Sequence, residues 1–145
     1  MIQRIQSLFL LLASGAFFSE FAFPFAHSEV AGSGFLSDQE FTVQDHPVLL
    51  SLAILGGIIA LAAIFQFNNR SRQMILSRLS IVFGILLPLV AFLLVYMEPD
   101  KQGDLAVYND GIGLYLPLVA IICSILAIRF IKKDDKLVKS MDRLR

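Results

Sequence analysis

The chain has no tryptophan, a single cysteine, two histidines and only 17% charged residues. A lone thiol, Cys123, makes no internal disulfide, which excludes a disulfide-stapled secreted domain. No C-x-x-C, H-E-x-x-H, phosphate-loop or dinucleotide-binding glycine pattern occurs, and His27 and His46 stand at no metal-ligand spacing. An intramembrane protease needs a Ser–His pair, an Asp pair or a zinc motif at depth. Ser14, Ser51, Ser80 and Ser124 lie within or at the edge of apolar segments that contain no His or Asp. The sequence therefore predicts no catalytic residue, no metal and no cofactor.

What the chain has in excess is apolar surface. Hydrophobic residues make up 57% of its 145 residues, and the mean hydropathy is +0.73. Soluble domains carry about 45–50% apolar and about 25% charged residues, and a domain this small buries only about two-thirds of its surface. The surplus needs lipid as its second solvent. About 20 residues at 1.5 Å per residue cross a hydrocarbon core of roughly 30 Å. Four runs meet that length: 5–25, 47–67, 79–97 and 111–131. Backbone groups in lipid find partners only within a helix or a closed barrel, and these runs lack strand alternation. The expected fold is an all-α membrane protein, a four-helix up-down bundle forming one domain over residues 1–145.

The charges settle the expected orientation. Of the twelve basic residues, Arg4, Arg70, Arg72, Arg78 and the seven from Arg129 onward flank the spans on one side, and only Lys101 lies on the other. Nine of the twelve acids lie opposite: Glu20, Glu29, Asp38, Glu40, Asp45, Glu98, Asp100, Asp104 and Asp110. By the positive-inside rule both termini, the inner loop 68–78 and the tail 132–145 are cytoplasmic, and loops 26–46 and 98–110 face outward. The first run is read as a span and not as a cleaved signal peptide. It continues through Phe17, Phe18, Phe21, Phe23 and Phe25, past the small residues at Ala13–Ala16.

Within the spans, Ala53 and Gly57, like Gly56 and Ala60, are four apart and form small-residue faces for close helix packing. Gly84, Pro88 and Pro117 predict kinks or irregularity. Glu20 is the one ionisable residue with apolar sequence on both sides, expected either to reach headgroup water or to form a buried ion pair with Lys101 or with a cation donated by a partner protein. It sits about 24 Å along a helix from Arg4, near the outer interface. Asn109-Asp110-Gly111 reads as a turn into the last span, and the stretch from Phe35 to Val43 as a short strand or interfacial segment. In the tail, Leu137, Val138, Met141 and Leu144 line one face of a short amphipathic helix flanked by cations. With Arg70 and Arg72, the residues Lys132, Lys133, Lys136, Lys139, Arg143 and Arg145 are the expected contacts to anionic lipid or to a partner protein. Without interleaved aromatics, nucleic acid is an unfavoured ligand.

The start Met1-Ile2-Gln3-Arg4-Ile5-Gln6-Ser7-Leu8, the stretch Asn69-Arg70-Ser71-Arg72-Gln73 and the closing run from Lys132 to Arg145 resemble the domain of unknown function family 4293. This is a group of small four-span inner-membrane proteins in Bacteroidota. The resemblance implies a helical membrane protein with both ends inside and brings no activity, substrate or catalytic residue. The functional expectation is a non-enzymatic accessory or scaffolding subunit of a larger membrane complex, with export or insertion, respiratory and envelope-building machinery as conceivable hosts. The alternative is a small homodimeric four-span transporter using Glu20.

Overall fold

A computed structural model describes residues 3–28, 39–97 and 108–142 of the chain. Four helices dominate: α1 (Gln3–Ser19), α2 (Pro47–Phe65), α3 (Arg70–Met97) and α4 (Leu116–Asp142). Each packs on two neighbours, in the ring order α1-α2-α3-α4 closing back on α1. Three short strands, β1 (Ala26–Ser28), β2 (Glu40–Phe41) and β3 (Tyr108–Asp110), form an antiparallel sheet in the order β2-β1-β3. That sheet joins the end of α1, the approach to α2 and the approach to α4, so successive helices run antiparallel beneath one cap.

Local chemistry explains the boundaries. Pro24 cannot continue a helix, and its ring would strike the carbonyl of Glu20; α1 accordingly stops at Ser19 and turns through Phe21 and Ala22. The first apolar run is thus a helix only as far as Ser19, and its last residues belong to the cap. Helix α2 begins with His46 as N-cap, its Nδ1 accepting from the Val48 amide at 3.2 Å, and with Pro47 in the first turn. Asn69 starts α3 in the same way, its Oδ1 accepting from the Arg72 amide at 3.2 Å. Nothing after Arg70 breaks a helix, so most of the expected inner loop 68–78 is the first two turns of α3.

Other expectations are corrected by the same logic. The tail is not a separate short helix: no glycine or proline follows Ile131, and α4 runs unbroken through Lys132 to Asp142. Pro117 lies in the first turn of α4, where its missing N–H costs nothing, and marks no mid-span break. Pro88 does lie inside α3, which continues past it. The expected turn at Asn109-Asp110-Gly111 is the end of strand β3, held by β1. By length and composition α2, α3 and α4 are apolar enough to cross a membrane, while α1 contributes a shorter apolar helix, Ile5–Ser19.

The interior follows one spacing. Gln6, Leu10, Ala13 and Phe17 on α1 and Glu20 just beyond its end, Leu49, Ala53, Gly56, Ala60 and Ala63 on α2, and Gln73, Ser77, Ser80, Gly84, Leu87 and Ala91 on α3 are buried. So are Ala120, Ser124, Ala127 and Ile131 on α4. Steps of three and four residues make a narrow seam on each helix, as in supercoiled bundles. Most seam residues are small, and the large side chains of Leu8, Leu55, Ile58, Val82, Ile85, Phe92 and Ile122 point outward.

Candidate functional site

At the cap, the Pro24–Phe25 backbone is clasped from both sides. The Phe25 amide donates to the Phe41 carbonyl at 2.7 Å, the Gly111 amide to the Phe25 carbonyl at 2.8 Å, and the Gly113 amide to the Pro24 carbonyl at 2.9 Å. The rings of Phe25 and Phe41 meet at 5.9 Å. Thr42 and Asp45 cap the turn that leads into α2, with the Asp45 carboxylate accepting from the Thr42 amide.

Directly beneath this lid, Glu20 leaves the end of α1 facing inward with 1% exposure. Both of its carboxyl oxygens are buried and have no hydrogen-bond partner among the described residues. It neither reaches surrounding water nor forms an ion pair with a described cation; Lys101, its expected in-chain partner, lies outside the described residues. The helices α2 and α4 both begin at this end, so their N-terminal dipoles favour a negative charge there.

Midway along the bundle the helices contribute a polar layer. Ser80 and Ser124 hydroxyls lie 3.3 Å apart, and the Ser14 hydroxyl donates to the Gly57 carbonyl at 3.1 Å. Phe9 stacks on Phe130 at 5.4 Å; counting equally along the antiparallel helices α1 and α4 from that contact brings Ser14 level with Ile125, beside Ser124. The small-residue seam of α2 lies against α1: a Cβ at Gly56 would stand 2.7 Å from the Phe17 ring, and one at Gly57 2.8 Å from Phe18. Ala53 and Ala60 are buried on the same helix.

At the end opposite the cap, Gln6 and Gln73 are both buried. Gln6 Oε1 and both polar atoms of Gln73 lack partners among the described residues. Arg70 Nε bonds Asp134 Oδ2 at 3.1 Å, tying the start of α3 to the extension of α4. Arg70, expected to face lipid or a partner, is therefore engaged within the chain. Arg72, Lys132, Lys133, Lys136, Leu137 and Lys139 are exposed, and Lys139 pairs with Asp135 one turn away at 2.7 Å. The side chain of Met141, and Arg143, Leu144 and Arg145, lie outside the described residues. Among the described residues no three of His, Cys, Asp and Glu stand close enough to hold a metal ion.

Sequence reasoning singled out Glu20 but missed Gln6, at the start of the first apolar run, and Gln73, inside the expected inner loop. Their signal is the seam spacing itself, since Gln6–Leu10–Ala13 and Gln73–Ser77–Ser80 share it. The family model that matches residues 2–144 is the domain of unknown function DUF4293. The chain belongs to the DUF4293 family. No curated protein and no solved structure matches it, so membership fixes kinship over nearly the whole chain and leaves activity to the site.

Proposed function

We propose that this DUF4293 protein is a four-span protein of the bacterial inner membrane, with both termini cytoplasmic, that acts as a non-enzymatic accessory or scaffolding subunit of a larger membrane complex. One observation carries the reading: the seams of the four helices are built mostly of small residues, and most of the large apolar side chains of those helices point outward. Such a surface is matched by lipid tails and by other spanning helices. Along the outer face of α4, exposed Leu118, Ile122 and Ile125 give way to exposed Arg129, Lys132 and Lys133. On α3 the same change runs from Val82 and Leu79 to Arg78. These two changes support a membrane boundary with anionic headgroups beside the cations.

Co-purification in gentle detergent, with native sizing and mass spectrometry, tests the complex. The expected result is one membrane protein in fixed stoichiometry, returned again when that protein carries the tag, and reduced when residues 132–145 are deleted. Recovery of this chain alone rejects the subunit reading. A homodimeric transporter is the second reading, favoured by the buried carboxyl of Glu20, which has no hydrogen-bond partner among the described residues. Substrate efflux lost in Glu20→Gln supports it, and unchanged efflux removes it.

A further inference from the structure

The three polar features of the interior share one axis. Phe9–Phe130 and Arg70–Asp134 set the register of α1 and α3 on α4, and by equal counting Gln6 comes level with Lys133 and Gln73 with Ile131. The two amides therefore lie within about 3 Å of the same height, on helices that are not neighbours in the ring. Ser14, Ser80 and Ser124 follow at mid-bundle, and Glu20 closes the series beneath the cap. At 1.5 Å per residue, Gln6 to Ser14 is about 12 Å and Ser14 to Glu20 about 9 Å. Between these layers the interior is lined by Leu10, Ala13, Ala60 and Ala127 on one side of the serines, and by Phe17, Gly56, Leu87 and Ala120 on the other.

A buried polar atom without a partner costs about 1–3 kcal/mol, and more when charged. Five such atoms, on Gln6, Gln73 and Glu20, are buried with no hydrogen-bond partner among the described residues. Packing alone would place apolar residues at these positions, as it does at Leu10, Ala13 and Phe17 on α1; on α3, buried Ser77 between Gln73 and Ser80 spends its hydroxyl on the Gln73 carbonyl at 2.8 Å. Hydroxyls accept and donate at once, amides hold water without exchanging protons at neutral pH, and a carboxyl takes up and releases a proton.

We propose that the axis of this bundle carries protons between its two ends, with the Glu20 carboxyl as the acid–base site under the cap. The Ser14, Ser80 and Ser124 hydroxyls form the midway relay, and the Gln6 and Gln73 amides the hydrated mouth opposite. A proton entering beneath the cap forms an O–H bond on a Glu20 oxygen. The same bond breaks when the proton passes to water against the serine layer, which restores the carboxylate. Leu10 and Phe17 interrupt the path, so each gap conducts only while water occupies it, and the flux is slow. The titratable groups on the elements packed at that end are His27 on β1, Glu40 on β2, Asp45 and His46 before α2, Asp110 on β3 and Tyr115 before α4. All are half-buried or exposed, and none hydrogen-bonds Glu20. Between residues 79 and 94 of α3 and between 116 and 128 of α4, Cys123 is the one ionisable side chain.

The inference rests on the four-span reading and is independent of any partner subunit. Its test uses the full-length protein in vesicles of phosphatidylethanolamine and phosphatidylglycerol containing a pH-sensitive dye, with protease protection of the termini reporting insertion. A potassium diffusion potential drives protons inward. The expected dissipation is at least about tenfold faster than in protein-free vesicles, with Glu20→Gln within about twofold of protein-free and Glu20→Asp intermediate. Ser80→Ala combined with Ser124→Ala slows the flux several-fold, because water in the vacated space replaces the hydroxyls imperfectly. Native elution and unchanged melting of each variant report its fold. Protein inserted with both termini on one side but no flux overturns the pathway and leaves the four-span reading standing. Termini on opposite sides of the vesicle overturn both. Flux indifferent to Glu20→Gln, or carried by potassium, overturns the assignment to Glu20.

Discussion

The ring of Phe17 fills the space that a side chain at Gly56 would take, 2.7 Å from the position of its Cβ. Phe17 is fully buried and has nowhere to retreat, whereas Phe18, which abuts Gly57 at 2.8 Å, is 39% exposed and can swing outward. Gly56→Ala is therefore expected to destabilise the bundle by about 1–3 kcal/mol, as overpacking does. Gly57→Ala should cost clearly less. Thermal unfolding of the two variants in one detergent decides; equal melting temperatures contradict the distinction.

Gly111 meets an obstacle that cannot move. A Cβ there would collide with the Pro24 carbonyl oxygen, a backbone atom already accepting from the Gly113 amide. Gly111→Ala should detach β3 from β1 while the helices stay packed. Hydrogen exchange is expected to rise at Ala26–Ser28 and at 108–110, with the amides of α2 and α3 unchanged. Protection retained in β1 would show that the cap does not depend on this close approach.

Arg70 and Asp134 join two helices at their charged end, with side chains 25% and 14% exposed. Such a pair contributes up to about 1 kcal/mol and weakens as salt screens it. A double-mutant cycle with Arg70→Ala and Asp134→Ala should return a coupling energy of that size in low salt and a smaller one in high salt. Exchange in residues 135–142 should rise in either single variant. A coupling of zero at low salt would mean that α4 holds its extension without help from α3.

Glu20 illustrates how far the sequence could be followed. Its isolation among apolar residues was visible, and so was its distance from Arg4. Extending a helix through it put the carboxyl at an interface within reach of water. Pro24 ends α1 early, and the packed chain leaves Glu20 only 1% exposed. Strands of two or three residues carry no periodicity by which to find them, and β1 and β3 are paired across more than half the chain.

The interior seam was obscured for a different reason. In an amphipathic helix the buried face stands out because the other is polar; in α2 both faces are apolar, and only residue size separates them. The glycines and alanines of α2 were legible as a packing face, but which helix lay against them was not. The burial of Gln6 and Ser80 was hidden by their ordinary positions near the ends of apolar runs, and that of Gln73 by its place in an expected loop. Their burial depends on the inward side of α1 and α3, and that is set by the ring order of the four helices.

By itself the sequence determined a helical, apolar chain, because backbone groups removed from water must bond within their own segment and because long runs of large side chains admit few other solutions. Its charge asymmetry distinguished the two ends of the bundle on the same basis. Tertiary structure decided what the interior contains. Antiparallel packing brought polar residues distant in sequence to shared heights, and the packed chain buried Glu20, arrangements that depend on register between helices and that no local pattern encodes.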